Sequence, residues 1–210
     1  MWGDFLSDIF DRLPEEKRER IINSALSAFG TNGYKKTSIA DVAKAAAVSK
    51  PMIFTYFGSK AALYTFLAEY SIELVREEFR VHAHKLLTDD FFERILLSAE
   101  IKTAMLKRYP AILSFLTSMY YEQDMNVRPI LEQRLKDTVP FREEQMMKGI
   151  DTSRFKEGID LQNVMKLLSW VSSGLADEWR SKDIDAMDAL LGEFNEVIEM
   201  LKNVLYKEEI

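Results

Sequence analysis

Residues 39–57, with the sequence IADVAKAAAVSKPMIFTYF, decide the fold class of this 210-residue chain. Ser38 and Asp41 have the spacing of a capping box, which predicts a short helix that ends near Ala46. Ser49 is placed to cap a second short helix, whose first turn contains a proline, and a proline is tolerated there. Two short helices joined by a tight turn are typical of a helix-turn-helix.

The outward side of the second short helix is the candidate recognition surface. Val42, Val48 and Ile53 are apolar at the positions where a helix-turn-helix buries its inner face. A recognition helix needs its N-terminal side chains free to reach base edges in the major groove, with phosphate contacts on either side. The candidate base-facing residues are Lys50, Pro51, Met52 and Thr55, and the flanking candidates for the DNA surface are Thr37, Ser38, Ser49, Tyr56 and Lys60.

The charge of the chain is unevenly distributed. The formal net charge is −6, yet residues 33–60 contain five lysines and a single aspartate. A basic patch on an acidic molecule suits a phosphate-binding face, because the acidic remainder repels nonspecific contacts with nucleic acid. Chance clustering is the alternative explanation if charge alone is considered.

The composition argues against an enzyme. The chain has no cysteine and only two histidines, which lie two residues apart, so neither a metal site nor a catalytic triad is well supplied. The acidic pairs Asp89-Asp90 and Asp183/Asp185 lie at predicted helix ends, where solvated helix caps are the usual role of aspartate. We therefore expect no metal and no cofactor.

The N-terminal segment is not expected to be a targeting signal. Residues 1–13 have the apolar spacing of an amphipathic helix, with aspartates where a secretory signal carries basic residues. This helix is expected to pack on its own protein or on a partner. No apolar run approaches the ~20 residues that span a bilayer, so a cytoplasmic location is expected.

The rest of the chain has helical periodicity nearly throughout, which predicts an all-α protein of about nine helices. Gly30 and Gly33 are expected to end the helix that begins after Pro14. Pro140 lies inside an apolar pattern and should kink or split its helix. The remaining predicted helices cover residues 60–87, 89–107, 110–123, 126–149, 155–181 and 185–208.

Residues 37–63 resemble the N-terminal signature of the TetR (tetracycline repressor-like) transcriptional regulators. The resemblance covers roughly residues 15–65, whereas the remainder is similar only in length and helical character. Three positions depart from the usual pattern of that family. Glycine is usual where Ala47 stands and frequent where Pro51 stands, and tyrosine is common where Phe54 stands.

The resemblance implies a two-domain transcription regulator, most simply a repressor. Residues 1–60 would form a three-helix DNA-binding domain with an extra N-terminal segment, and residues 61–210 a helical bundle for ligand binding and dimerisation. A homodimer would place two recognition helices in successive major grooves of a palindromic operator, with half-sites about 34 Å apart.

The last two helices carry more apolar surface than one core contact needs. Two overlapping apolar seams run through residues 185–208, and a further seam precedes them. The resemblance implies that these helices pair with their copies in a dimer, although a thick intramolecular core is the alternative. The candidate interface residues are Leu168, Val171, Leu175, Leu190, Phe194, Val197 and Leu201.

Aromatic and methionine residues cluster in the second domain. At helical spacing such residues usually form plain core, but methionine also suits adaptable apolar cavities. The resemblance implies a small hydrophobic effector there. The candidate ligand-binding residues are Phe92, Met105, Phe115, Met119, Tyr120, Met146, Met165 and Trp170.

Two other classes of protein remain to be weighed against a ligand-responsive regulator. An enzyme lacks convergent acid, base or metal groups in this sequence. A helical adaptor that keeps the fold without binding DNA is the alternative function, and the basic patch argues against it.

Overall fold

The computed structural model describes residues 8–180 and 186–208. Over these two ranges no β-strand is present, and the predicted all-α class is confirmed. Two short 3-10 turns, Ala83–Leu86 and Thr152–Arg154, accompany eleven α-helices within the same ranges. The helices are α1 (Asp8–Asp11), α2 (Glu15–Lys36), α3 (Ile39–Ala45), α4 (Lys50–Phe57), α5 (Lys60–Val81), α6 (Phe91–Arg108), α7 (Pro110–Tyr121), α8 (Arg128–Lys136), α9 (Val139–Met147), α10 (Leu161–Arg180) and α11 (Met187–Leu205).

The chain forms two compact units that do not follow sequence order. The first unit contains the described residues up to 74 together with residues 109–138. The second contains residues 75–108 together with the described residues from 139 onward. Helices α7 and α8 therefore belong with the helix-turn-helix in one unit. The boundary expected near residue 60 separates two functions, DNA binding and ligand binding, whereas these units are defined by compactness. The functional boundary therefore stays a prediction.

One predicted helix start differs from the structure, and one predicted split is confirmed. The helix predicted over 155–181 begins only at Leu161, because Phe155 forms an isolated antiparallel bridge with Tyr206. The backbone groups of residues 154–156 thus form their hydrogen bonds with the residues at the end of α11 rather than within a helix. The predicted split at Pro140 is confirmed, since α8 ends at Lys136 and the proline lies in the first turn of α9. Most of the predicted helix over 1–13 lies outside the described residues.

The core of the first unit is built where α7 crosses α2. A Cβ atom at Gly30 would lie 2.5 Å from the Ser114 Oγ atom and 2.9 Å from the backbone nitrogen of Phe115. Only a glycine permits so close an approach of the two helices. Around the crossing the Tyr64 ring contacts the rings of Phe29 and Phe115, at centroid distances of 5.0 and 5.1 Å. The predicted break at Gly33 is confirmed, with a φ of 69°, whereas Gly30 lies inside α2 and does not end it.

A buried carboxylate at the start of α6 connects that helix with the end of α11 and with the segment before α10. The Asp90 side chain accepts hydrogen bonds from the Tyr206 hydroxyl at 3.2 Å and from the Glu93 amide at 3.0 Å. Its other oxygen lies 2.8 Å from the Lys202 Nζ atom and 3.1 Å from an Arg154 nitrogen. Asp90 therefore caps α6 as expected, but it is buried among ion pairs, which corrects the expectation that the cap is solvated.

Burial by itself would raise the pKa of Asp90, but the hydrogen bonds from Lys202 and from the Glu93 amide outweigh it and hold the pKa below its ordinary value. The contribution of this carboxylate to stability is therefore complete above the ordinary aspartate pKa. It is lost as the pH falls through the lower pKa of the folded state. The same surroundings affect Tyr206, whose pKa burial raises to about 12.

Replacing Asp90 with asparagine should lower the free energy of unfolding at pH 7 by about 2 kcal/mol, because charged hydrogen bonds to Lys202 and Arg154 are lost. The matched control is Asp89→Asn, since the Asp89 side chain is 60% exposed and its ion pair with Arg154 contributes little. Denaturant unfolding followed by circular dichroism measures both. Equal stability of the two variants at pH 7 would contradict the assignment.

Candidate nucleic-acid interface

The turn between α3 and α4 holds the two helices in a fixed geometry. The Val48 amide donates to the Ala43 carbonyl at 2.9 Å, and the Ala47 amide donates to the Lys44 carbonyl at 3.1 Å. This pair of bonds forms a Schellman motif, which requires a left-handed residue after the end of the helix. Ala47 is that residue, with a φ of 53°. The departure from glycine noted in the sequence is therefore a position of backbone strain.

Helix α4 presents its first turn to solvent. Ser49, Lys50, Pro51 and Thr55 are exposed, Met52 is half-buried, and Ile53 is buried as predicted. Ser49 occupies the N-cap position, but its side chain makes no capping hydrogen bond. This exposed hydroxyl and the Lys50 side chain both lie at the start of the candidate recognition helix, and no capping bond holds the hydroxyl.

An open concavity of about 500 Å³ lies on this surface, lined by Lys50, Pro51, Phe54 and Thr55. The ring of Phe54 is 39% exposed, and the Lys50 Nζ atom lies 6.0 Å from its centroid. The sequence analysis did not include Phe54 among the DNA-binding residues. The sequence did indicate that Phe54 lies on the same face of the helix as Lys50, because the two residues are four apart.

Two of the predicted phosphate contacts are buried and must be corrected. The Thr37 hydroxyl donates to the Gly33 carbonyl at 2.7 Å, so it ties the end of α2 to the start of α3. The Tyr56 side chain is 1% exposed, with its ring 5.6 Å from that of Phe10. Its hydroxyl is buried as well and has no hydrogen-bond partner in the structure. Neither hydroxyl lies on the surface that would face DNA.

The flanking positive charge is provided by lysines near the start of α3. The Lys60 Nζ atom donates to the Lys35 carbonyl at 3.3 Å and lies 4.8 Å from the centroid of the Tyr34 ring. Burial lowers the pKa of Lys60, and the carboxylates of Asp124 and Glu122 oppose this effect. Exposed lysines Lys35 and Lys36 lie at the end of α2. The sequence placed both in the basic patch but not among the site residues.

Helix α3 begins beside these lysines. Ser38 is its N-cap, and the Ser38 Oγ atom accepts a hydrogen bond from the Ala40 amide at 3.2 Å. The predicted cap is therefore confirmed, and the side chain is exposed. Ser38, Lys60 and the two lysines ending α2 form a surface that suits a phosphate group.

The residues predicted for the dimer interface divide into two groups. Leu168, Leu190 and Phe194 are buried inside the second unit, so they are not available to a partner subunit and must be corrected. Val171, Leu175 and Leu201 are partly buried, and Val197 is exposed. The reason is that the buried face of α11, with Leu190, Phe194 and Ile198, takes residues from both overlapping seams, while Val197 lies on the opposite side.

The eight residues predicted for ligand binding are divided between the two units. Phe115, Met119 and Tyr120 belong to the first unit, and the other five belong to the second. Phe92 and Met165 share one apolar cluster, whereas Met146 packs against another and Met105 is buried. Tyr120 is 53% exposed and Trp170 is 62% exposed, so these two are surface residues.

The described part of the chain contains no helix long and apolar enough to cross a membrane. Over the same residues, no group of three or more His, Asp or Glu side chains is placed to hold a metal ion. The acidic pair Asp183/Asp185 lies outside the described residues.

A helix-turn-helix with an exposed first turn on its second helix, flanked by lysines, defines a DNA-binding protein. The match to known families agrees with this class: residues 21–65 match the model for the bacterial regulatory proteins of the tetR family. Residues 21–65 therefore form a DNA-binding domain of the TetR family, and the chain is a DNA-binding transcriptional regulator.

Similar proteins span most of the chain. It is 22% identical over 168 residues to the probable acrEF/envCD operon repressor of Escherichia coli (strain K12), covering 77% of this chain and 75% of that protein. A TetR family transcriptional regulator from Chloroflexus aurantiacus superimposes with a TM-score of 0.70 at 19% identity, covering 98% of this chain and 100% of that one. The regulator FadR from Bacillus subtilis, solved with stearoyl-CoA, gives 0.64 at 17% identity, covering 83% and 95%. At these identities the two solved structures show the fold alone.

Replacing Ala47 with glycine should raise the free energy of unfolding by about 1 kcal/mol, because glycine adopts the left-handed backbone without the clash of a Cβ atom. The matched control is Ala45→Gly in the last turn of α3, which should lose about 0.5–1 kcal/mol. Thermal and denaturant unfolding measure both. A loss of stability in both variants would show that the strain at Ala47 is absent.

Proposed function

We propose that the protein is a repressor that binds a palindromic operator as a homodimer and is released by a small hydrophobic effector. The observation that carries this proposal is the exposed face of α4, where Lys50 and its neighbours lie in the one strongly basic stretch of an acidic chain. Such a face binds the major groove, whereas the acidic remainder disfavours indiscriminate binding. The place of action would be the cytoplasm.

The proposed dimer surface is the exposed apolar face of α10 and α11. On α10 the exposed residues Leu167 and Trp170 lie on one face with Gly174, and nothing lies within 4 Å of the position of a Cβ atom on that glycine. On α11 the exposed residues have the same helical spacing: Val197, Met200 and Val204. Large apolar side chains on two adjacent helices rarely stay in water, and an open glycine permits close approach of another helix.

This surface revises the set predicted from sequence. Val197 is retained, and Leu201 and Val171 lie partly buried beside the exposed residues. Trp170 moves from the ligand-binding candidates to the dimer surface, where the Lys166 Nζ atom lies 5.2 Å from its ring centroid. The face of α11 that packs into the core of the unit serves the fold, and the exposed face would serve the second copy.

For the effector, we propose a molecule that carries a long apolar chain, with acyl-CoA as the first class to test. The solved relative FadR contains stearoyl-CoA, and its fold is shared over most of this chain. Phe92 and Met165 remain the candidate ligand residues with most support, because they line one apolar cluster of the second unit. No cofactor, metal or catalytic role is proposed. An operator obtained by selection from a DNA library supplies the probe for screening such compounds.

The experiment that tests the DNA-binding proposal is selection from a random duplex library at two salt concentrations. An enriched palindrome should appear, and binding should weaken steeply as salt rises, because phosphate contacts release counterions. Lys50→Ala should weaken binding to that palindrome at least about fivefold. The control Lys148→Ala removes the same charge from an exposed site in the second unit and should leave operator binding nearly unchanged.

The alternative function is a helical adaptor that does not bind DNA. Selection that enriches no sequence, with only weak binding even at low salt, would support the adaptor and contradict the repressor. The selection is repeated after denaturation and refolding, so that a bound effector carried through purification does not produce the same negative result.

Replacing Met200 with glutamate should convert the dimer to monomers at micromolar concentration and abolish tight operator binding, because a charge would be buried at the proposed interface. The matched control is Met125→Glu, since Met125 is 78% exposed in the first unit and outside the proposed interface. Sedimentation velocity measures the oligomeric state. If the Met200 variant remains dimeric, this face of α10 and α11 is not the interface.

A further inference from the structure

The concavity on α4 combines an apolar wall with a single cation. Lys50, Pro51, Phe54 and Thr55 line it, and Lys50 is the only charged member. The inference drawn from it rests on the proposed function, because it concerns which base the recognition helix selects. We infer that the concavity takes the major-groove edge of thymine, with its C5-methyl group against the apolar wall.

The apolar character of the wall follows from how its polar atoms are used. The Thr55 hydroxyl donates to the Pro51 carbonyl at 3.0 Å, so its proton is committed to the helix backbone and it has no donor left for a base. Proline carries no backbone N–H, and the ring of Phe54 carries no polar atom. What the wall offers a base edge is therefore mostly carbon: the Pro51 ring, the Phe54 ring and the Thr55 methyl group.

The cation restricts the choice of base further. The Lys50 ammonium lies 6.0 Å from the Phe54 ring centroid, which holds the donor at the rim of the apolar wall. In the major groove thymine presents an O4 acceptor beside its C5-methyl group, and cytosine presents an N4 amino donor instead. A donor next to an apolar wall matches thymine in both features. It opposes 5-methylcytosine, which has the methyl group but places an amino donor near the lysine.

The test begins with two parallel selections by the full-length protein, one from a library containing thymine and one in which deoxyuridine replaces every thymine. Deoxyuridine lacks only the C5-methyl group, so pairing and the O4 acceptor are unchanged. We expect the thymine library to yield a palindrome with a fixed T·A pair in each half-site. In that operator, uracil at this position should weaken binding about fourfold per half-site, the effect of burying one methyl group, and 5-methylcytosine should not restore it.

Three variants assign the effect to the wall. Thr55→Ser keeps the hydroxyl but removes the methyl group, so it should weaken binding to the thymine operator about fourfold per half-site and leave binding to the uracil operator unchanged. Thr55→Val keeps a methyl group and should retain the preference for thymine. Phe54→Ala should also abolish the difference between the two operators, and a melting curve checks that each variant is folded. The difference between operators is a readout that a general loss of stability does not produce.

The outcomes separate this inference from the function on which it rests. Enrichment of the same motif from both libraries, with equal affinity for thymine and uracil operators, would overturn the thymine assignment. It would not contradict the proposed repressor function. A methyl effect that persists at full size in Thr55→Ser and Phe54→Ala would assign it to another part of the protein and would also overturn the inference. Enrichment from neither library would contradict the repressor and the thymine site together.

Discussion

The left-handed turn at Ala47 is the constraint on which the DNA-binding surface depends. Helix α3 ends and α4 begins within four residues, and two backbone hydrogen bonds across the turn fix the angle between them. That angle decides which side chains of α4 face outward. An alanine there costs conformational free energy that a glycine would avoid, so the packing of Val42, Ala43 and Ile53 beneath the turn must hold the geometry.

The packing beneath α4 extends this constraint into the rest of the first unit. The Phe10 ring contacts the rings of Phe57 and Phe66 at centroid distances of 4.8 and 5.8 Å, so the segment before α2 supports the inner face of the recognition helix. On the other side, Glu122 after α7 accepts a hydrogen bond from the Tyr34 amide at 2.9 Å. Elements distant in sequence therefore hold the recognition helix and the lysines near α3 in one packed unit.

That contact also brings negative charge close to the phosphate-binding lysines. Asp124 follows Glu122, and the lysines Lys35 and Lys60 help to lower its pKa, after the larger effect of its hydrogen bonds with Asn126. DNA phosphates must compete with these carboxylates for the same ammonium groups. This competition weakens purely electrostatic binding, and the base contacts of α4 gain in relative weight as a result.

The sequence was most informative where local rules decide the structure. The N-cap at Ser38, the break at Gly33 and the split at Pro140 each depend on one residue and its immediate neighbours, and all three are confirmed. The recognition surface was also largely predictable, because helical spacing separates Ile53 from Lys50 and Thr55.

Side-chain burial that depends on distant elements was not predictable from a single sequence. Nothing near Tyr56 indicates that Phe10 covers it, and nothing near Thr37 indicates that its hydroxyl turns back to α2. In α11 two apolar seams were visible, but only the packing in the second unit decides that Leu190 and Phe194 face inward and Met200 outward. The same limit explains the predicted helix start at residue 155, because the competing pairing with Tyr206 joins distant positions.

The most direct test of the account is amide hydrogen exchange of the full-length protein with and without an excess of DNA duplex at low salt. If α3, the turn and α4 form the nucleic-acid interface, slowed exchange should be concentrated in residues 35–60. Protection that falls elsewhere in the chain and leaves these residues unchanged would contradict the account, because DNA would then bind a surface other than the one that the helix-turn-helix presents.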